Sequence, residues 1–355
     1  MLRKFIFSAA AVAAFTCVKA QDSTAPKPTL AVSGYVDAYY RFNLGNPKKE
    51  TEATNNFTSF TNSQNSFELN MASVKLEHSF GKVGAVADLG FGKRAEEFSY
   101  NDENTNFIIK QAYLTYSPAA NVKLTAGSWA THVGYELVDP ILNRNYSMSY
   151  MFSYGPFFHT GVKADVSLGK SAFMLGFANP TDLKSADFSR KFMIAQYSLS
   201  AIDDKLKMYV NYQGGKPGEG AKMNQFDLTV SAAVSSKFSM GYNGTVQSVK
   251  TKDPEGKFGD SNSWWGSAVY LNLDPTEAFG LTLRSEYFSN KKAVVGAPEA
   301  GIFANTLSAN FRVGPLTFIP ELRIENASTA IYTKGADIAS KKSTASALVA
   351  AVYKF

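Results

Sequence analysis

The sequence predicts an all-β fold: a transmembrane antiparallel β-barrel of about sixteen strands, with short periplasmic turns and longer external loops. Three observations predict it. Residues 30–355 divide into runs that alternate apolar and polar positions, bounded by Gly, Pro, Asn and Asp clusters. The connections between runs alternate between tight turns and longer polar loops, an asymmetry typical of membrane barrels. The last run, S-T-A-S-A-L-V-A-A-V-Y-K-F at 343–355, holds no turn residue and finishes on Phe355. A strand there needs an earlier partner, and zipping it to the first run closes the sheet without leaving an edge.

The N-terminus reads as a signal peptide over 1–20. Arg3 and Lys4 precede an apolar stretch too short to span a bilayer, and Val18-Lys19-Ala20 offers small residues at a cleavage site. A short segment, 21–29, then leads to the barrel at 30–355. Losing Arg3, Lys4 and Lys19 lowers the formal charge from +6 to near +3, no footprint for nucleic acid. Cys17 is the only cysteine, so the processed chain would carry neither a disulfide nor a thiolate metal site. No metal, cofactor or catalytic residue is expected. Past residue 20 there is no apolar run of eighteen, hence no transmembrane helix.

In order, the strands are expected at 30–41, 66–80 and 83–91, the last two joined by the tight Gly81-Lys82 turn. Then come 107–117 and 122–129, joined at Pro118–Asn121, and 156–168 and 171–179, joined at Gly169-Lys170. The pairs 191–201/206–213 and 224–234/238–250 turn at Asp203-Asp204 and Ser235-Ser236. The pairs 264–273/278–288 and 303–313/316–326 turn at Asp274-Pro275 and Gly314-Pro315, and 343–355 completes the sixteen.

Each run has two faces. In 316–326, Leu316, Phe318, Leu322 and Ile324 oppose Thr317, Glu321, Arg323 and Glu325, with Ile319 on the polar side. In 278–288, Phe279, Leu281, Leu283 and Tyr287 oppose Thr282, Arg284 and Glu286. In the last run, Val349, Ala351, Tyr353 and Phe355 are assigned to lipid, and Ser346 and Lys354 to the lumen. Leu348 and Val352 break the pattern. Sixteen strands enclose a lumen too wide for wall side chains alone, so the polar face is expected to line water. Phe80, Phe91, Tyr116, Tyr212, Phe238, Phe279, Tyr287, Phe311 and Tyr353 suit the aromatic girdles at the two interfaces.

The third external loop, 130–161, differs from the others. It carries Tyr146, Met148, Tyr150, Met151, Phe152 and Tyr154, and so is expected to fold inward against the wall rather than wave in water. Glu136, Asp139 and Arg144 would then be the charges at a pore constriction. The pore-lining charges are Asp37, Arg284, Glu286, Arg312, Glu321 and Arg323, with Glu325 interleaved. Such charges can set a transverse field that tunes ion preference, or pair with one another and only solvate the wall.

S-G-Y-V-D-A-Y-Y-R at 33–41, the stretch from Gly134-Tyr135-Glu136 through Asn143-Arg144-Asn145, and G-P-F-F-H-T-G at 155–161 resemble the OmpL-like outer-membrane β-barrel porin family of Bacteroidota. That resemblance implies passive diffusion of small hydrophilic solutes through the cell outer membrane, with lipid as surroundings and no defined catalytic residues. A homo-oligomer is expected by analogy alone. A channel selective for oligosaccharides is the alternative, with Tyr35, Tyr39, Tyr209 and Tyr270 as a sugar slide. A structural or adhesive role would call for longer loops or an added domain. Catalysis finds no support: His78, His132 and His159 sit in no triad signature. Asp203-Asp204 are explained by a turn, and Glu96-Glu97 and Asp102-Glu103 read as solvated loop surface. Gly214, Gly215 and Gly218 surround Pro217 in an expected loop, with no following helix to bind phosphate.

Overall fold

The computed structural model describes residues 28–355 except Glu103; the expected signal peptide and most of the segment before the barrel lie outside the described residues. The strands are β1 (Thr29–Asn43), β2 (Ser66–Phe80), β3 (Val83–Phe91), β4 (Ile109–Ala119), β5 (Val122–Ala130), β6 (Phe158–Leu168), β7 (Ser171–Ala178), β8 (Phe192–Ala201) and β9 (Leu206–Gly218). They continue as β10 (Ala221–Ala233), β11 (Phe238–Thr251), β12 (Asn262–Leu273), β13 (Phe279–Ser289), β14 (Gly301–Val313) and β15 (Leu316–Ala327), then a small loop hairpin, β16 (Tyr332–Lys334) and β17 (Asp337–Lys341), and finally β18 (Ser343–Lys354). Sixteen of them, β1–β15 and β18, form one closed antiparallel barrel in which β18 lies between β15 and β1.

The last run closes against the first, as expected. Tyr35 pairs with Lys354, Ala38 with Ala351 and Asn43 with Ser346. The seam is finished beyond the regular strand: Gly34 N donates to Phe355 O at 3.1 Å, and Phe355 N donates to Gly34 O at 3.0 Å. The Phe355 ring lies over Gly34, where a Cβ would come within 2.5 Å of it and 2.3 Å of Ser73 O. The position is a notch that only glycine fills.

The external loops are L1 (44–65), L2 (92–108), L3 (131–157), L4 (179–191), L6 (252–261), L7 (290–300) and L8 (328–342). L2 carries a short helix, α1 (Lys93–Phe98), and L3 another, α2 (Tyr150–Ser153). The fifth external connection departs from expectation. Gly214, Gly215, Pro217 and Gly218 belong to β9, and only Glu219-Gly220 separate it from β10. The pairing jumps from Ala221↔Gly218 to Met223↔Gly215, so Lys216 and Pro217 sit in a bulge. There a proline's missing N–H costs no ladder bond.

The outer face is apolar as the alternation requires: Phe226, Phe318, Leu322, Val349 and Tyr353 are exposed, as are Phe80, Phe91, Tyr116 and Phe311 among the girdle aromatics. The inner face is a correction. It does not line water throughout, because Tyr35, Tyr39, Ile319, Leu348, Ala350 and Val352 form a buried cluster with Tyr146 of L3. Leu348 and Val352 break the polar pattern because they meet the inserted loop.

The seam predicts an assembly phenotype. Phe355→Ala, removal of Phe355, and Gly34→Val should each lower the yield of heat-modifiable, membrane-inserted barrel, while molecules that do insert keep their unit conductance. A Phe355 variant that inserts as well as the parent would contradict this account of closure.

Candidate functional site: a loop anchored across the lumen

L3 leaves the end of β5 and crosses the lumen toward the opposite wall. His132 Nε2 lies 3.1 Å from Tyr212 O of β9, and Gly134 N donates to Asp227 of β10 at 3.1 Å. Tyr135 then stacks on Tyr270 of β12, ring centroids 4.1 Å apart. Gly241 of β11 makes that possible, since a methyl group there would stand 2.6 Å from the Tyr135 ring. Gly266 leaves similar room for Met151.

The centre of the site is an ionic network contributed by both wall and loop. Arg284 Nη1 meets Glu136 Oε1 at 2.6 Å and donates to Ser147 O at 2.7 Å, while Nη2 donates to Met148 O at 3.2 Å. Arg323 Nη1 donates to the same Met148 O at 2.8 Å, and its Nη2 lies 2.9 Å from Glu325 and 3.4 Å from Glu286. The carboxylates in turn accept loop N–H and O–H groups. Glu136 accepts from Ser149 N (2.7 Å), Glu286 from Tyr150 N (2.9 Å), Glu321 from Tyr146 N (3.0 Å) and Glu325 from the Tyr150 hydroxyl (2.8 Å). Ser149 also caps α2, its Oγ accepting from Phe152 N at 3.1 Å. Arg284 is wholly buried and Glu286 is 1 % exposed. Such charges are tolerable only when paired and hydrogen-bonded, and here the unpaired backbone of an irregular loop supplies the missing donors and acceptors.

A second anchor holds the other side. Asp139 meets Lys110 of β4 at 2.6 Å and accepts from the Tyr35 hydroxyl at 2.8 Å; Lys110 also pairs with Asp88 of β3 at 3.1 Å. Asp37 accepts from the Tyr146 hydroxyl and from Met71 N. Arg94 of α1 caps the loop from outside, donating to Val138 O at 2.8 Å with its guanidinium 5.0 Å from the ring centres of both Tyr146 and Phe60. Near the periplasmic turns, Arg144 and Arg312 share Asp274, with Nη1 of Arg144 3.1 Å and Nη2 of Arg312 3.0 Å from its Oδ1.

Of the two arrangements open to the lumen charges, mutual pairing is the one adopted. Glu136, Asp139 and Arg144 each tie L3 to a different part of the wall, Glu136 to Arg284, Asp139 to Lys110 and Arg144 to Asp274, while Glu136 and Arg144 border one cavity. Asp37, Arg284, Glu286, Glu321 and Arg323 are buried beneath the loop, and Arg312 remains half-buried. Lys110, Arg94 and the carboxyl-binding amides of L3 escaped the sequence. Lys110 is the residue that the β3–β4 pairing skips, and Arg94 lies in a loop with no periodicity. Glu97 and Asp102 correct the expectation of a solvated surface. Glu97 accepts from Phe60 N at 2.8 Å and Asn62 at 3.0 Å, and Asp102 pairs with Lys184. Among the described residues no group of three or more His, Cys, Asp or Glu is placed to hold a metal ion.

The family described as beta-barrel porin-2, OmpL-like, matches residues 29–355. The chain belongs to the OmpL-like porins. The barrel resembles solved outer-membrane proteins. The outer membrane channel DcaP of Acinetobacter baumannii aligns with a TM-score of 0.63 at 12% identity, over 92% of this chain and 97% of that one. OmpT of Vibrio cholerae aligns at 0.58 and 10%, over 95% and 100%; a trimer form of OmpT aligns at 0.57 and 10%, over 92% and 99%. At such identities these likenesses establish the fold. No curated protein matches the sequence. As an OmpL-like porin this chain is an outer-membrane channel protein, and its lipid-facing wall and inserted third loop are read in that setting.

Two predictions follow from the anchors of this porin. Arg284→Ala strands the buried Glu136 without its arginine partner, at a cost of about 3–5 kcal/mol. L3 should loosen, seen as a larger single-channel conductance and faster protease cutting within 136–152; unchanged values for both would refute the anchoring role. The second concerns Asp182 of L4, whose Oδ1 accepts from Phe157 N at 2.7 Å and Phe158 N at 3.0 Å, at the base of L3. Burial pushes this carboxyl up to about 7, against the pull of those amides, the Tyr100 hydroxyl and Lys184. An unfolded Asp titrates near ~3.9, so the raised value makes its contribution complete below that pH and lost as pH rises through 7. Between pH 6 and pH 8 the parent should lose about 1 kcal/mol of stability in denaturant titrations, and Asp182→Asn should remove that slope.

Proposed function

We propose that this porin is a passive channel for small hydrophilic solutes. Its fixed third loop fills one side of the lumen, and solutes move along the other. The observation that carries this reading is the uneven packing of the interior. The wall from β12 through β18 to β1 packs against L3 except at a cavity of about 360 Å³ bordered by Asn143, Arg144, Arg312 and Lys354, whereas Tyr113, Lys123, Lys163, Asp165, Lys207 and Tyr209 on the inner face of β4–β9 remain half-buried. Lys163 lies 3.2 Å from Asp165; among the described residues neither Lys123 nor Lys207 has a carboxylate within ion-pair distance. Three ammonium groups against one carboxylate give this passage a positive potential, which favours anions over cations of equal size.

Tyr35, Tyr39 and Tyr270 of the expected sugar slide are buried against L3; Tyr209 alone of the four is half-buried on this wall, and with Tyr113 it supports a narrower version in which sugars slide on aromatic faces. Saturable block of the current by an oligosaccharide would favour it; plain ohmic current favours general diffusion. A homo-oligomer in the membrane is the assembly we propose, with the mass of the detergent-solubilised porin as its test.

Charge removal tests the route. In a salt gradient across a planar bilayer, the triple variant Lys123→Gln, Lys163→Gln, Lys207→Gln should shift the reversal potential toward cations, by several-fold in the permeability ratio. An unshifted reversal potential with normal insertion would place the route elsewhere.

A further inference from the structure

We propose that the external rim of β9–β11 is a binding site for the phosphate groups of an outer-leaflet glycolipid. The outward face of the β10–β11 pair is a ladder that changes character rung by rung. Phe226 pairs with Val246, Asn224 with Ser248, and Lys222 with Lys250. Successive rungs on one face are two residues apart, about 6–7 Å along the strand. The lowest rung belongs to the lipid belt, where Phe226 and Val246 are both exposed. It is flanked by interface aromatics: Tyr212 of β9 packs on Phe226, ring centroids 5.0 Å apart, and Trp265 of β12 pairs with Val246. The Tyr212 hydroxyl donates to Asn224 at 2.8 Å, which marks the polar boundary. The two lysines therefore stand one rung beyond that boundary, at the end away from the termini, where the headgroups of the outer leaflet lie.

Two like charges directly opposite each other on neighbouring strands repel. Further cations join them. Lys222, Lys252 and Lys216 place their ammonium groups 4.2, 5.5 and 5.9 Å from the centre of the Phe258 ring of L6, which is fixed by its bridge to Lys252. The ring gathers the ammonium groups without neutralising them. Glu219 is engaged by Arg190 at 2.9 Å, and although L6 also carries Asp253, Glu255 and Asp260, among the described residues none of Lys216, Lys222, Lys250 and Lys252 has a carboxylate within ion-pair distance. Four cations held together above an apolar belt match one chemistry: an anionic headgroup carrying phosphate, with acyl chains that lie along Phe226, Val246 and Trp265. A free phosphate satisfies the cations but not the belt.

The test uses the purified full barrel in detergent, with lipid A, dephosphorylated lipid A and inorganic phosphate as three separate probes. Native mass spectrometry should detect a retained lipid A adduct that weakens with rising salt, at least ten-fold weaker with the dephosphorylated lipid, and no stable adduct with inorganic phosphate. The variant Lys216→Gln, Lys222→Gln, Lys250→Gln, Lys252→Gln should lose the adduct at least ten-fold. The lumen variant Lys123→Gln, Lys163→Gln, Lys207→Gln, with the same total charge change less one, should keep it. Heat-modifiable migration of both variants checks folding. Equal retention by the rim variant, equal binding of the dephosphorylated lipid, or capture of inorganic phosphate alone would each overturn the proposal. Loss in both variants would reduce it to a general charge effect and overturn it as well.

Discussion

The capture of a loop backbone by two buried arginines is the constraint on which the rest of this molecule depends. A sixteen-stranded barrel has a lumen too wide for its own side chains, so some other part of the chain must occupy it or water must. L3 occupies part of it, but an irregular segment brings unpaired N–H and C=O groups against a wall with little water. Arg284 and Arg323 take the carbonyls of Ser147 and Met148. Glu136, Glu286 and Glu321 take the amides of Ser149, Tyr150 and Tyr146. Each charge is costly alone; together they satisfy one another and the loop. The wall's buried charges are thus first a scaffold for L3, and in the proposed passage it is the lysines of the opposite wall that act on a solute.

The apolar half of the interior follows from the same insertion. Tyr146 enters over Tyr39, Leu348 and Ile319, and wall glycines admit what does not fit elsewhere: Gly241 for Tyr135 and Gly266 for Met151. Inner-face identity in this barrel therefore reports what L3 touches. Polar residues stand where loop backbone or water arrives, and apolar residues stand where loop side chains arrive.

This explains what could be read in the sequence. Strand existence and face were legible because lipid on one side imposes a strict period of two, and β2 and β3 match their expected bounds residue for residue. The inward fold of L3 was legible from its aromatic and methionine content. The partners within it were not. Glu136 and Arg284 are separated by 148 residues, and no local spacing joins them. Arg94 and Asp182 lie in loops where periodicity gives no face. The β9–β10 connection misled because Gly and Pro mark turns in most contexts, and here they mark a bulge under the Phe192 ring.

Hydrogen exchange in the membrane-inserted porin tests the central claim most directly. If L3 is held by the buried network, the amides of Tyr146, Ser149 and Tyr150 exchange as slowly as those of β13 and β14, and far more slowly than those of L6. Exchange of the three amides at the rate of L6 would contradict an anchored loop and the channel geometry built on it.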